Sequence, residues 1–414
     1  MTSGHIADHR VLLPGPGGSD GPVTPALDAV VVPAARPSRS IVAAAEAARS
    51  HGATLVVWSS RASRAAEVYR IARRRLPPER IVAVDLPEHP PHGMPALATD
   101  RIDTGESGTR DTGLKRNLGL RLAVLLGWGQ LLFMDDDVSA PQAPVLRAAR
   151  RRLAERGGPG AIGWAFEDFP DNSVACHAHR LAGGRQGTFV GAGGLLLRVD
   201  ERLPHFPRVY NEDWLFFADL LVRRERGLAL GGTLRQRAFD PYADPDHARL
   251  QEFGDVLGEG LFALLHRRKP LSAASSSGYW ADYLHVRRRF LQGVESRLMQ
   301  APSAGSRARL ADRQKALDCV TVARHTLLQH RHQWELDLPA FVKAWRQDAV
   351  TWSRTLARTT GIASDVDDAL ARLGLVRFGA SQPSVGGGRM PRSIATVTAR
   401  VRSSTSSLVN TLSR

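Results

Sequence analysis

The apolar run Leu131-Leu132-Phe133-Met134 ends in three consecutive aspartates, Asp135, Asp136 and Asp137. Carboxylates clustered at the end of a short buried strand belong at the edge of a sheet, where water or a cation reaches them. What precedes the run fixes its setting. Lys115-Arg116-Asn117-Leu118-Gly119-Leu120 opens a segment with apolar residues at Leu118, Leu122, Leu125 and Leu126, the spacing of an amphipathic helix. Gly127 and Gly129 break that helix before the strand begins. This context outweighs the bland reading of a solvated acidic turn. Clustered hard oxygens suit magnesium or manganese, and a metal–diphosphate complex in particular.

The same alternation runs upstream. Asp28 to Pro33 reads as a buried β-branched strand, and Ile41 to Arg49 as a helix capped by Ser38 or Ser40 and stopped by His51-Gly52. Thr54 to Trp58 is a second strand, Ala62 to Arg74 a second helix, and Ile81 to Val84 a third strand. Strands alternating with helices predict an α/β fold with a parallel sheet and right-handed crossovers. Such sheets bind ligands at the C-terminal ends of their strands. Pro33 to Pro37, Ser59-Ser60 and the aspartate triplet all fall there, which points to a nucleotide site.

Farther along, Ala161 to Trp164 reads as a strand, Phe169 to Ser173 as a turn, and Thr188 to Leu197 as a Gly-rich apolar strand. Leu215, Phe216, Leu220 and Leu221 suit a helix after Trp214. From about residue 266 the pattern is mostly helical, with a helix from Pro339, a good first-turn residue, to Ala357. Four parts are expected: a disordered leader at 1–26, an α/β domain at 27–265, a helical region at 266–377 and a basic Ser/Arg-rich tail at 378–414. The tail's composition favours disorder, with a weakly amphipathic helix on a membrane surface as the alternative.

Composition narrows the partners. An apolar content of 43% supports a real core. Cys176 and Cys319 are too far apart in sequence to offer a disulfide framework or a zinc spacing. No run approaches the roughly 18 apolar residues of a spanning helix, and His5, Asp8, His9 and Arg10 do not make a signal peptide. A cytoplasmic protein is expected. The net charge of +15 is carried almost wholly by arginine. Arg73 to Arg75, Arg150 to Arg152 and Arg287 to Arg289 lie on helix-like segments without interleaved aromatics, so solvated helix faces are expected and nucleic acid is not.

Taken in order, four pieces resemble a glycosyltransferase of the GT-A fold, close to the family 2 type, over about residues 27 to 265. Val30-Val31-Val32-Pro33-Ala34-Ala35-Arg36 is similar to the first nucleotide-binding strand and its loop. Lys115-Arg116-Asn117-Leu118-Gly119 is similar to the helix start before the metal strand, Phe133 to Asp137 to the Asp-x-Asp motif, and Asn211-Glu212-Asp213-Trp214 to the Glu-Asp motif. One departure is that the second strand ends Trp58-Ser59-Ser60, where many relatives carry an acid that holds the base.

The resemblance implies transfer from a nucleotide-diphosphate sugar to an acceptor hydroxyl of a glycan, lipid or small molecule, with Mn2+ or Mg2+ on the leaving diphosphate. It implies Asp137 and Asp135 at the metal, Asp135 also at the ribose, and Pro33, Ala34, Arg36, Ser60, Lys115, Arg116 and Asp136 on the donor side. A further metal ligand would be His247 or His266, with Asp240 or Asp244 as substitutes. Asp213, beside Glu212, would be the general base of an inverting reaction. A helix start depresses a carboxylate's pKa unless Trp214 and Phe217 desolvate it. Gly191, Gly193 and Trp214 would lie on the acceptor side, with Asp171-Asn172, His177 and His179 as candidate pocket residues. A retaining enzyme and a noncatalytic basic binding protein on the same fold remain alternatives. A nucleotidyltransferase would need a Gly-rich basic loop where Pro33-Ala34-Ala35-Arg36-Pro37 stands.

Overall fold

Val30 to Val32 and Leu55 to Val57 are apolar at every position because both faces of their sheet are covered. The computed structural model describes residues 8–14, 25–105, 111–167, 173–185, 187–222, 227–300 and 307–379. Its sheet runs β3-β2-β1-β4-β6-β5-β7, with β1 at Ala29–Ala34, β2 at Thr54–Ser59, β3 at Ile81–Asp85, β4 at Gln130–Met134, β5 at Ala161–Phe166, β6 at Val190–Arg198 and β7 at Leu228–Leu234. The first four strands are parallel, and β6 is antiparallel to both β4 and β5. Met134 pairs with Gly194, so the start of β6 shares an edge with the end of β4.

Alternate residues serve two cores. Val31, Val56 and Phe133 belong to one apolar cluster, and Val30, Leu55 and Leu132 to the other. Helices α1 (Val42–His51), α2 (Ala65–Ala72) and α4 (Ala143–Ala154) contribute to the second cluster. Helix α3 (Thr112–Leu126) lies against the first, and a Cβ at Gly119 would come 2.8 Å from Val31 Cγ1. The same side holds α5 (Val174–Leu181), α6 (Glu212–Val222), α7 (Pro245–His266), α8 (Ser277–Gln300), α9 (Arg307–Ala357) and α10 (Val366–Arg372). The result is an α/β sheet followed by a mostly helical C-terminal region. A compact unit ends at Phe378. No helix of the described residues is long and apolar enough to cross a membrane.

Several local expectations need correcting. Pro339 lies inside α9 rather than opening a helix. Proline removes one helix hydrogen bond, but buried Leu338, Phe341 and Val342 hold the turn against its neighbours. Part of the expected disordered leader is ordered: Asp8–Pro14 carries a 3-10 turn at His9–Val11, and His9 is 1% exposed. Its ring stacks on Phe262 at 4.4 Å between centroids, which draws this polar stretch onto the core. Helix α7 begins well before residue 266, at a start marked by Asp244 accepting from the Asp246 N–H and by Pro245. Residues 168–172, which include most of the expected turn and Asp171-Asn172, lie outside the described residues, as do 380–414 of the tail.

Candidate active site

Each polar residue of the helix start before β4 has a defined partner. Lys115 is 1% exposed, and its ammonium donates to the Ala34 carbonyl at 2.8 Å and to Ser60 Oγ at 2.6 Å while pairing with Asp111 at 3.0 Å. An ammonium has three N–H groups, so all are committed. Burial lowers its pKa and Asp111 opposes the shift. Lys115 therefore fastens the ends of β1 and β2 to α3 instead of reaching a phosphate, and Ser60 is its partner. Asn117 makes a two-bond clasp with Phe206, donating to its carbonyl and accepting from its N–H, both at 2.8 Å.

Arg116 spans the site. Its Nη2 donates to both oxygens of Asp135, at 2.9 and 3.1 Å, and its Nη1 pairs with Glu212. One buried guanidinium thus ties the end of β4 to the start of α6. Among the three aspartates, Asp136 has a structural task. Its Oδ2 accepts the Ala35 and Arg36 N–H groups at 2.8 Å each, and Oδ1 accepts from Arg36 Nη1 at 2.6 Å. That fixes the loop after β1 and occupies Asp136, which the resemblance had placed on the donor. Pro33 and Ala34 are buried strand residues, while Arg36 is exposed and also pairs with Asp137 at 2.8 Å.

Asp135, Asp137, Glu212 and Asp213 remain as the candidate chemical groups. Burial and then the neighbouring Asp135 push the Asp137 carboxyl up to about 6, against the pull of Arg36. Burial also raises the Asp213 pKa, partly offset by Arg116 and by the Ala192 N–H, so desolvation outweighs the helix start. Asp213 Oδ2 accepts from Ala192 at 2.9 Å and Oδ1 from the Trp214 N–H at 3.0 Å. The glycines of β6 make room for these acids. A Cβ at Gly193 would lie 2.8 Å from Asp135 Oδ2, and one at Gly191 would lie 3.6 Å from Asp213 Oδ2. Asp135 and Asp213 therefore share one small-residue floor.

Other expected residues are placed elsewhere. Trp214 is 6% exposed and packed among His9, Phe189 and Phe262, so its ring is core rather than acceptor surface. His247 is exposed beside Asp244 at 3.9 Å, Asp240 pairs with Lys315 at 2.9 Å, and His266 bonds the Asp8 carbonyl at 3.1 Å. His177 lies edge-on to Phe239 and His179 contacts Arg297. Among the described residues no three His, Cys, Asp or Glu side chains gather into a metal cage. Magnesium and manganese do not require one, since a carboxylate or two plus substrate phosphates and water suffice. Asp137, raised chiefly by burial and next by Asp135, fits that mode: a cation would offset the cost of keeping both carboxylates ionised.

A cleft of about 630 Å3 opens at the ends of β2 and β3. Ser59, Ser60 and Asp111 line it beside Lys115, with Arg61, Arg64 and Arg208 adding positive charge. Asp85 at the end of β3 also lines it, and its neighbour in register is Ser59. An acid is therefore present at this edge, one strand over from where the resemblance places it. Its strand-end position was visible in the sequence. The wall is braced from α9, where Asp348 accepts from Ala98 N at 2.6 Å, Thr99 N at 2.9 Å and Thr99 Oγ1 at 2.7 Å.

No family model matches the chain, and no curated protein matches it. Among solved structures it is similar to glucosyl-3-phosphoglycerate synthase from Mycobacterium tuberculosis in complex with Mn2+, uridine diphosphate and phosphoglyceric acid. The identity is 16% and the TM-score 0.36, over 62% of this chain and 85% of the other.

Proposed function

We propose that this chain is a GT-A glycosyltransferase of the family 2 type, moving a sugar from a nucleotide-diphosphate sugar to an acceptor hydroxyl with inversion. The observation that carries this reading is the pairing of Asp135 and Asp213 over the Gly191–Gly193 floor, joined through Arg116 and Glu212. One acid sits at the end of the nucleotide-side sheet and the other at the start of α6. A displacement reaction likewise needs its leaving-group side and its base to come from different elements.

The donor's nucleoside occupies the cleft at the ends of β2 and β3, leaving its diphosphate toward β4. A bound Mn2+ or Mg2+, held by Asp137 and Asp135, supplies positive charge to the departing diphosphate. Arg116 pairs with Asp135 and Glu212 and holds both carboxylates in place beforehand. Each Asp213 oxygen accepts one backbone N–H and keeps a lone pair for the acceptor hydroxyl. As that hydroxyl oxygen bonds the anomeric carbon, its proton passes to Asp213, and the broken carbon–oxygen bond leaves its electron pair on the diphosphate. The raised pKa makes Asp213 a stronger base than an ordinary carboxylate.

A screen of nucleotide-diphosphate sugars with manganese, scoring hydrolysis and transfer, tests this. Wild type should turn over at least one donor, while Asp213→Asn keeps donor binding and loses about 100- to 10,000-fold in transfer. Transfer retained in Asp213→Asn removes the base assignment, and product anomer analysis separates inversion from retention.

A further inference from the structure

Glu212 and Asp213 follow a residue in an uncommon conformation. Asn211 has φ +61°, in the left-handed region that few non-glycine residues enter. Its carbonyl accepts from Trp214 N at 3.0 Å and Leu215 N at 3.4 Å, so α6 grows directly from it. Any rotation of Asn211 rotates the first turn of α6 and both acids with it.

The Asn211 side chain is held from the helical region. Its Nδ2 donates to Asp255 Oδ1 on α7 at 3.0 Å. The other Asp255 oxygen accepts from Arg287 Nη2 on α8 at 2.9 Å and from the Ser173 hydroxyl at the start of α5. Arg287 reaches Glu252 as well, through Nε at 2.9 Å and Nη2 at 2.8 Å. Arg287 and Glu252 are each 1% exposed and Asp255 is 3% exposed. None of the three belongs to the site above. A buried charge cluster of this kind is a costly way to hold two helices together, because well-packed apolar residues often do so at least as well. What it offers here is direction, since Asp255 gives Asn211 one fixed acceptor.

We propose that Arg287, Glu252 and Asp255 form a strut by which α7 and α8 set the orientation of Asp213 through Asn211. Asn211 and Arg287 are positioning residues, and Ser173 is locked to the same carboxylate. This rests on the glycosyl-transfer reading above for its catalytic consequence, but not for its mechanical one.

Two variants test the strut. Asn211→Gly keeps a residue at ease with positive φ and removes the side-chain link. Arg287→Lys keeps the charge and loses the fork that grips Glu252 and Asp255 together. In both, the Trp214 and Leu215 amides should exchange with deuterated water about tenfold faster while those of β1 and β4 are unchanged. In both, kcat for transfer should fall about 10- to 100-fold with donor KM unaltered, and the acid limb of the pH profile should move as Asp213 changes surroundings. Wild-type amide protection in Asn211→Gly overturns the strut. So does faster exchange with undiminished kcat and an unmoved pH profile, which would make the cluster a staple between helices. If wild type turns over no nucleotide sugar, the functional reading fails, and the exchange data still decide the strut.

Discussion

The Arg287 cluster between α7 and α8 and the acidic rim at the end of β4 are built from the same groups. In the first, Glu252 and Asp255 share one guanidinium, and their excess negative charge meets neutral donors from Ser173 and Asn211. Arg287 and Glu252 are sealed from solvent there. At the rim, Asp135, Asp136, Asp137 and Glu212 pair with Arg36 and Arg116, and Asp213 lies beside them. The Asp135 side chain keeps 28% of its surface and that of Arg36 44%, while Asp136 and Asp137 keep only 2% each beneath them. The same kinds of pairing are closed on every side in the cluster and reach solvent at the rim chiefly through Asp135 and Arg36. On the proposed reading, that opening is where a cation would enter.

The strongest way to break that contrast is Asp137→Ala. Metal-dependent turnover should fall about a thousandfold, and raising manganese should not restore it. Unchanged initial rates would show that the open rim is not a cation site. Arg287→Met asks the opposite of the closed cluster. It leaves Glu252 and Asp255 without their partner and should cost about 3–5 kcal/mol in urea unfolding. A loss below about 1 kcal/mol would mean that the sealed charges are dispensable to stability.

The gentlest test uses pH. A carboxyl raised to about 6 stabilises the fold below its unfolded pKa and loses that contribution as pH rises through about 6. A cation binds the ionised form and reverses the sign. Manganese should therefore raise the melting temperature at pH 7.5 and scarcely at pH 5, where its affinity should be about tenfold weaker. Equal affinity at both values would place the cation elsewhere.

The outline of the sheet was legible because parallel strands covered on both faces write themselves as unbroken apolar runs, as Val30 to Val32 does. The start of β6 was legible as well, since Gly191 and Gly193 mark a close approach. Strand β7 escaped notice because Gly231 and Gly232 interrupt its apolar pattern. Helix α7 is marked in the sequence by Asp244-Pro245, a cap followed by a first-turn proline. Roles within the site were harder to read. Nothing along the chain tells Asp136 from its neighbours, because its partners are backbone N–H groups about a hundred residues earlier. Lys115 reads as an available cation, yet its acceptors arrive from β1, Ser60 and Asp111. Trp214 adjoins Glu212 and Asp213 in sequence while the helix turns its ring into the core.

Asp348 grips Ala98 and Thr99 from about 250 positions downstream. A chain emerging from the ribosome can pair its first four strands while that wall still lacks its anchor. The cleft at the ends of β2 and β3 is thus completed only after most of α9 has been made, and whatever binds there meets its finished shape late in synthesis.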